Sequence, residues 1–274
     1  MFPDQPGRDV TESGSGGQVK LRRLEAELAV QLDARVPLVA GFPCLGLCIA
    51  PIRVGGGRAG PGGAHRASRW TAGEAARFLA ATDGDQLGLM FRIAVLRGAR
   101  RGELCGLRWA SADLDAGVLV VDRTILELDG HLVEGKPVTK AGERRIYLDK
   151  DTAGLLKAHC KAQLAARMRA GSDWQDNDLI FAPFDGTPWR PSYVSRRFAT
   201  LAQAAGVPVI KLLEARHSAI SLMRDAGVDR DVRMREAGHA DAQVADRYTH
   251  ILDAAHRAAA EQVAALVAKA GNGS

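Results

Sequence analysis

The sequence is poor in cysteine, in aromatic residues and in surplus charge of either sign. Four cysteines in 274 residues (Cys44, Cys48, Cys105 and Cys160) are too few and too scattered to staple a chain of this length, which excludes a disulfide scaffold. Cys44 and Cys48 form one CxxxC without a second pair, so no four-ligand zinc site is expected. Long apolar runs are missing too. The stretch 36–52 covers 17 residues but contains Pro37, Pro43 and Pro51, and is too short and too broken to span a bilayer. The opening MFPDQPGRDVTESGSGG has no basic-then-apolar signal pattern, which points to the cytoplasm. Lys and Arg number 37 against 32 Asp and Glu, a net charge of +5. Of those cations 29 are Arg and 8 are Lys, and the planar guanidinium fork suits phosphate better than an ammonium does. Residues 71–274 hold 28 cations and 26 acids, so any basic footprint must come from arrangement rather than excess.

What is present divides the chain in two. Residues 1–19 are rich in Gly, Ser and acid and read as disordered; 21–32 suit a short helix. VGGGRAGPGGA (54–64) reads as a flexible linker. Regular structure is expected from Thr71, where Thr71-x-x-Glu74 makes a capping box ahead of Ala75, Phe78 and Leu79. Apolar residues at three- and four-residue spacing predict helices over 72–82, 85–97 and 101–108. A β region follows: 117–128, a turn at Asp129-Gly130, HLVEG, and ERRIYL at 143–148 alternate as short antiparallel strands. Further helices are expected at 150–170, 191–205, 213–226, 229–237, 241–248 and 253–269. The expectation is one mostly helical α+β domain over 71–274 with a small antiparallel sheet, behind a poorly structured segment 1–70.

Four features carry chemistry. Arg100 opens a helix with Glu103 one turn later, a spacing at which a carboxylate can hold a guanidinium. Thr139-Lys140-Ala-Gly-Glu-Arg144-Arg145 is a basic hairpin tip, of a kind that touches phosphate or merely keeps an edge soluble. Glu214-Ala-Arg216-His217 lies inside a helix. Gly238-His239 is followed nine positions on by Tyr248, in ADRYTHI. Each is dull alone, but the order Arg, Lys, Arg, His, Tyr is not.

That order, with 23 residues from Arg216 to His239 and nine from His239 to Tyr248, resembles the tyrosine recombinases, the phage-type integrases. RGARRGELCGLRW matches the family's segment around its first arginine, with Arg100 in that position. Lys140 is the best match to the family's hairpin lysine and Lys136 a weaker one. Arg216, in EARHSAISLMRDAGVD, matches the second arginine; His239 in REAGHA and Tyr248 in DRYTHI match the histidine and the nucleophile. The resemblance runs from about Thr71 to Ile251. It implies a site-specific DNA recombinase that cuts and rejoins double-stranded DNA through a 3′-phosphotyrosyl intermediate, with self-assembly on DNA (a tetramer in the family) in the cytoplasm at the nucleoid. It implies no metal and no other cofactor, since two arginines supply the positive charge and the phosphotyrosine conserves the bond energy.

Two departures qualify the resemblance. The family usually places His three residues before the second arginine; here that position is Leu213, which can neither donate nor accept a proton. Lys211 and His217 are nearby, but their spacing from 213 puts neither on the expected helix face. Residues 1–70 also lack the helical periodicity of the DNA-clamping domain that family members carry there. The alternative reading is therefore a truncated, catalytically impaired remnant that binds DNA or is inert. A DNA-relaxing topoisomerase of the same chemistry fits the short hairpin less well.

Overall fold

The computed structural model describes residues 69–135, 144–236 and 249–273, with 249–252 defined by backbone alone. Among the described residues, eight α-helices and five strands occur in the order α1 (Ala72–Ala81), α2 (Gly88–Arg97), α3 (Arg101–Gly106), β1 (Ala112–Asp113), β2 (Val118–Val121), β3 (Thr124–Leu128), β4 (His131–Gly135), β5 (Arg144–Tyr147), α4 (Lys150–Ala170), α5 (Pro191–Ala204), α6 (Leu212–Asp225), α7 (Arg230–Glu236) and α8 (Thr249–Asn272). This is the expected mostly helical α+β architecture. The expected disorder of 1–19, the linker 54–64, the membrane-like run 36–52, the Cys44–Cys48 pair and the helix 241–248 lie outside the described residues.

The capping box at Thr71 forms: its hydroxyl accepts from the Glu74 amide at 3.3 Å, and the Thr71 amide donates to the Glu74 carboxylate at 2.7 Å. The core starts one residue earlier than this signal suggested. Trp70 is buried and its ring centroid lies 4.7 Å from Phe78 of α1 and 5.3 Å from Phe198 of α5, with Phe91 of α2 5.3 Å from Phe198. Its indole donates to the Pro208 carbonyl at 2.8 Å, so the polar edge is satisfied while the ring packs. Burying each such ring contributes roughly 1.5–3 kcal/mol, and together they fix α1, α2 and α5 as one unit.

The stretch 117–128 does not form one strand. It breaks after Val121 and feeds two sheets: β1-β2-β5, and the hairpin β3-β4. Asp129 (φ 49°) and Gly130 (φ 79°) make the hairpin's two-residue turn, in which both central residues need positive φ. In the larger sheet β2 runs antiparallel to β5, pairing Val121 with Arg144 and Leu119 with Ile146. The α3 helix packs tightly on β3: a side chain on Gly102 would come within 3.0 Å of the Ile125 carbonyl, and one on Gly106 within 2.9 Å of the Arg123 carbonyl. Gly102 and Gly106 are one turn apart and so share the face that meets the strand.

The last helix starts earlier and ends later than the sequence pattern predicts. It lies on its own domain, burying Ala259, Ala260, Val263 and Val267. His256 turns inward beside that stripe. Among the described residues no helix is long and apolar enough to cross a membrane.

Candidate active site

Helix α2 is capped at its C-terminus by Gly98, whose backbone is left-handed (φ 65°). A side chain there would sit 3.3 Å from both the Arg216 Cγ and the Ala219 Cβ, so glycine is required by conformation and by space. The turn frees the Gly98 carbonyl to accept a hydrogen bond from Arg216 Nη1 at 2.9 Å, and carries the chain to Arg100, the extended residue that caps α3.

Glu103 is the hub. It is 2% exposed, accepts from the Arg100 amide at 2.7 Å and from Arg100 Nη1 at 2.9 Å, and pairs with Arg144 Nη2 at 2.6 Å. Burial opposes ionisation of Glu103, but the Arg144 charge and the hydrogen bonds from Arg100 outweigh it and hold the carboxyl below its usual range. Arg216 is 5% exposed. Burial pushes its guanidinium down to about 10, helped by the charges of Arg144 and Arg100 and opposed by Glu103; it stays cationic at neutral pH. Two guanidiniums therefore pair with one carboxylate, and a third, that of Arg216, feels the charges of all three. The Arg100 side chain is 45% exposed, so the excess positive charge opens to solvent where an anion can reach it. Oxyanions of a phosphodiester meet the demand of such a site through charge-assisted, bidentate hydrogen bonds.

The structure thus brings together Arg100 and Arg216, 116 positions apart in sequence. Lys140 (with Lys136), His239 and Tyr248 lie outside the described residues. The chain enters the first of those segments from Gly135 of β4 and leaves it at Arg144, inside the site; it enters the second from Glu236 of α7 and leaves it into α8. Leu213 is on the first turn of α6, one turn before Arg216, and 64% exposed. His217, one turn after Leu213, is exposed as well. This corrects the expectation that His217 points elsewhere: residues four apart on a helix share a face.

In the sequence Arg144 reads only as part of a basic tip. The signal was its parity: it lies two residues before Ile146 on a strand, so the two share the inward face. Tyr147 is buried against Val118 and Ala260, and Tyr193 sits on α5 beside Trp189. His159 Nε2 donates to the Ile180 carbonyl (2.7 Å), and burial lowers its pKa. Cys105 and Cys160 are buried thiols. Among the described residues no cluster of His, Cys, Asp and Glu could hold a metal ion.

Comparison with known proteins places the chain in a family. The model of the phage integrase family matches residues 69–255. An integrase of Saccharopolyspora erythraea is 30% identical over 134 residues (49% of this chain, 31% of that protein). The ICEBs1 integrase of Bacillus subtilis is 28% identical over 187 residues (66% of this chain, 50% of that protein). The chain spans half or less of the length of these relatives. In fold it is similar to the Tn1549 transposon integrase in complex with transposon right end DNA (TM-score 0.56, 16% identity, 82% of this chain and 71% of that one). It is also similar to the XerA recombinase (TM-score 0.51, 21% identity, 69% and 62%). The Arg100–Glu103–Arg144–Arg216 cluster sits wholly within the matched span, and the chain belongs to the phage integrase family.

Proposed function

We propose that the chain is a site-specific DNA recombinase that breaks and rejoins a phosphodiester through Tyr248. The observation that carries this reading is the pairing of Arg100 and Arg144 with the single carboxylate of Glu103, with the buried Arg216 guanidinium within electrostatic reach of all three. An arrangement with that much fixed positive charge is preorganised for a transition state in which negative charge spreads over phosphoryl oxygens.

A phenol is a weak nucleophile at its ordinary pKa of about 10, so charge withdrawal by the arginines is what makes the attack feasible. The Tyr248 hydroxyl gives up its proton to water, its oxygen forms a bond to phosphorus, and the bond to the 5′ oxygen breaks. Lys140 donates a proton to that oxygen, giving a free 5′ hydroxyl and a 3′-phosphotyrosyl protein. His239 adds a hydrogen bond to the non-bridging oxygens. Attack by a 5′ hydroxyl reverses the steps and reseals DNA, so no nucleotide cofactor enters. The guanidiniums supply the charge, and the reaction needs no divalent ion. The active form is an assembly of several copies on double-stranded DNA.

Leu213 favours a slow enzyme over a dead one. Its exposed position means that the missing histidine has left the arginine cluster intact rather than collapsing a core around itself. The test is covalent capture. The protein is incubated in EDTA with a pool of randomised duplexes, each carrying one nick, and denatured complexes are collected and sequenced. Recovery of adducts enriched in one DNA sequence is expected. Binding without adduct at any protein concentration supports the inert remnant instead.

A further inference from the structure

A second charge cluster lies behind the arginine site, and the reaction outlined above does not use it. Arg97, the last residue of α2, and Glu236, the last of α7, form an ion pair at 2.8 Å with both side chains 1% exposed. His256 of α8 bonds through Nδ1 to the same Glu236 oxygen at 3.0 Å. Its ring stacks on Tyr147 of β5, with centroids 5.0 Å and planes 11° apart. The Tyr147 hydroxyl donates to Asp253, three residues before His256. Arg144, which grips Glu103, also donates to the Glu236 backbone carbonyl at 3.3 Å, so the two clusters share one guanidinium. Burial disfavours the charge on Glu236, but the charge of Arg97, the bond to His256 and the charge of Arg144 outweigh it and hold the carboxyl below its usual range.

Such a cluster is a poor device for stability alone. Arg97 Nε and Nη1 and Glu236 Oε2 are buried without a hydrogen-bond partner among the described residues, and each unmet group carries a desolvation cost. Apolar side chains of similar volume often replace a buried ion pair with no loss of stability. What the charged pair adds is direction, since apolar contacts tolerate sliding and a guanidinium–carboxylate bond does not. Its place in the chain gives that direction a use. Arg97 lies three residues before Arg100, Glu236 three before His239, and His256 eight after Tyr248.

We infer that Arg97, Glu236 and His256 are positioning residues: a buried clasp that ties the chain entering and leaving 237–248 to the turn that presents Arg100. The clasp aligns nucleophile and arginines on one phosphate. It rests on the reading of His239 and Tyr248 as site residues, and the test separates the two.

The full chain is compared with the double variant Arg97→Met/Glu236→Leu, which keeps the volume and removes the charges, and with the milder Glu236→Gln. Four quantities are read: melting temperature, DNA affinity for a nicked duplex, the single-turnover rate of adduct formation, and amide exchange of residues 237–255. A clasp predicts that the double variant melts within a few degrees of the parent and binds DNA within about threefold. Adduct formation falls at least tenfold, and exchange across 237–255 accelerates while α2 and α5 stay protected. Glu236→Gln, which keeps the bond to His256, falls between. A folded double variant with parental rate and parental exchange overturns the clasp. If the double variant does not fold, Glu236→Gln and His256→Gln decide on the same readouts, and parental values in both overturn it. If the parent itself forms no adduct, the recombinase reading fails, and the exchange measurement alone still decides whether the clasp exists.

Discussion

Replacing Leu213 with histidine separates a missing catalytic group from a damaged fold. The structure sets the cost. Leu213 is 64% exposed, so only about a third of its side chain is withdrawn from water. Full burial of a leucine is worth roughly 1.5–3 kcal/mol, and the substitution therefore forfeits about 0.5–1 kcal/mol at most. For a domain of this size that lowers Tm by about 1–4 °C. The imidazole arrives one turn before Arg216, where it can take the phenol's proton or bond a phosphoryl oxygen. A gain of general acid–base catalysis is worth about 10²–10⁴ in rate, or ~3–5 kcal/mol, so the benefit exceeds the cost several-fold. DNA affinity should change less than about twofold, because phosphate binding rests on the arginines. The assay is single-turnover adduct formation on a nicked duplex, run beside a melting curve and a binding titration. A folded Leu213→His variant that binds DNA normally and gains nothing refutes the reasoning, unless His217 already does the work. His217→Ala in the native background decides that: a drop of about 10² or more assigns His217 the proton-transfer role, and no change leaves the position empty.

Two further outcomes follow from the arginine cluster. Glu103→Gln leaves Arg144 and Arg100 crowded without their counter-charge and should cost about 3 kcal/mol in urea unfolding. Because Glu103 and Glu236 both titrate below their ordinary 4.5, the stability they confer is fully present above about pH 4.5. It is lost as pH falls through their depressed values, and Glu103→Gln should flatten that acid limb; an unchanged pH profile would show that Glu103 is not the hub. Gly98→Ala forces a left-handed alanine against Arg216 and Ala219, so unfolding should become easier by about 1–2 kcal/mol and adduct formation slower. A neutral Gly98→Ala would mean that the turn does not set the Arg216 position.

Much of the frame was readable from residues because it depends on local rules. The capping box at Thr71, the Asp129-Gly130 turn and the three- and four-residue periodicity each act within one or two turns of chain, and the elements they announce within the described residues are present. Arg100 and Glu103 were legible for the same reason, being one helical turn apart. The parts that escaped depend on contacts between distant segments. Trp70 precedes its cap and looks like linker until Pro208 and Phe198 fold against it. Arg144 reads as a soluble basic tip until β2 pairs with β5 and turns it inward to Glu103. Arg97, Glu236 and His256 are separated by 139 and 20 positions, and no spacing rule connects them. The misplaced orientation of His217 was a different kind of miss, since helix geometry alone puts it on the face of Leu213.

The central claim is that Tyr248 becomes covalently joined to DNA, and peptide mapping of the captured adduct tests it most directly. Nuclease and protease digestion of the complex formed in EDTA should leave one nucleotide-bearing peptide, ADRYTHI with its flanks, carrying the 3′ phosphate on Tyr248. Tyr248→Phe should bind the same duplex with equal affinity and yield no adduct. An adduct that survives Tyr248→Phe, maps to Tyr147 or Tyr193, or forms only with a divalent ion would contradict the account.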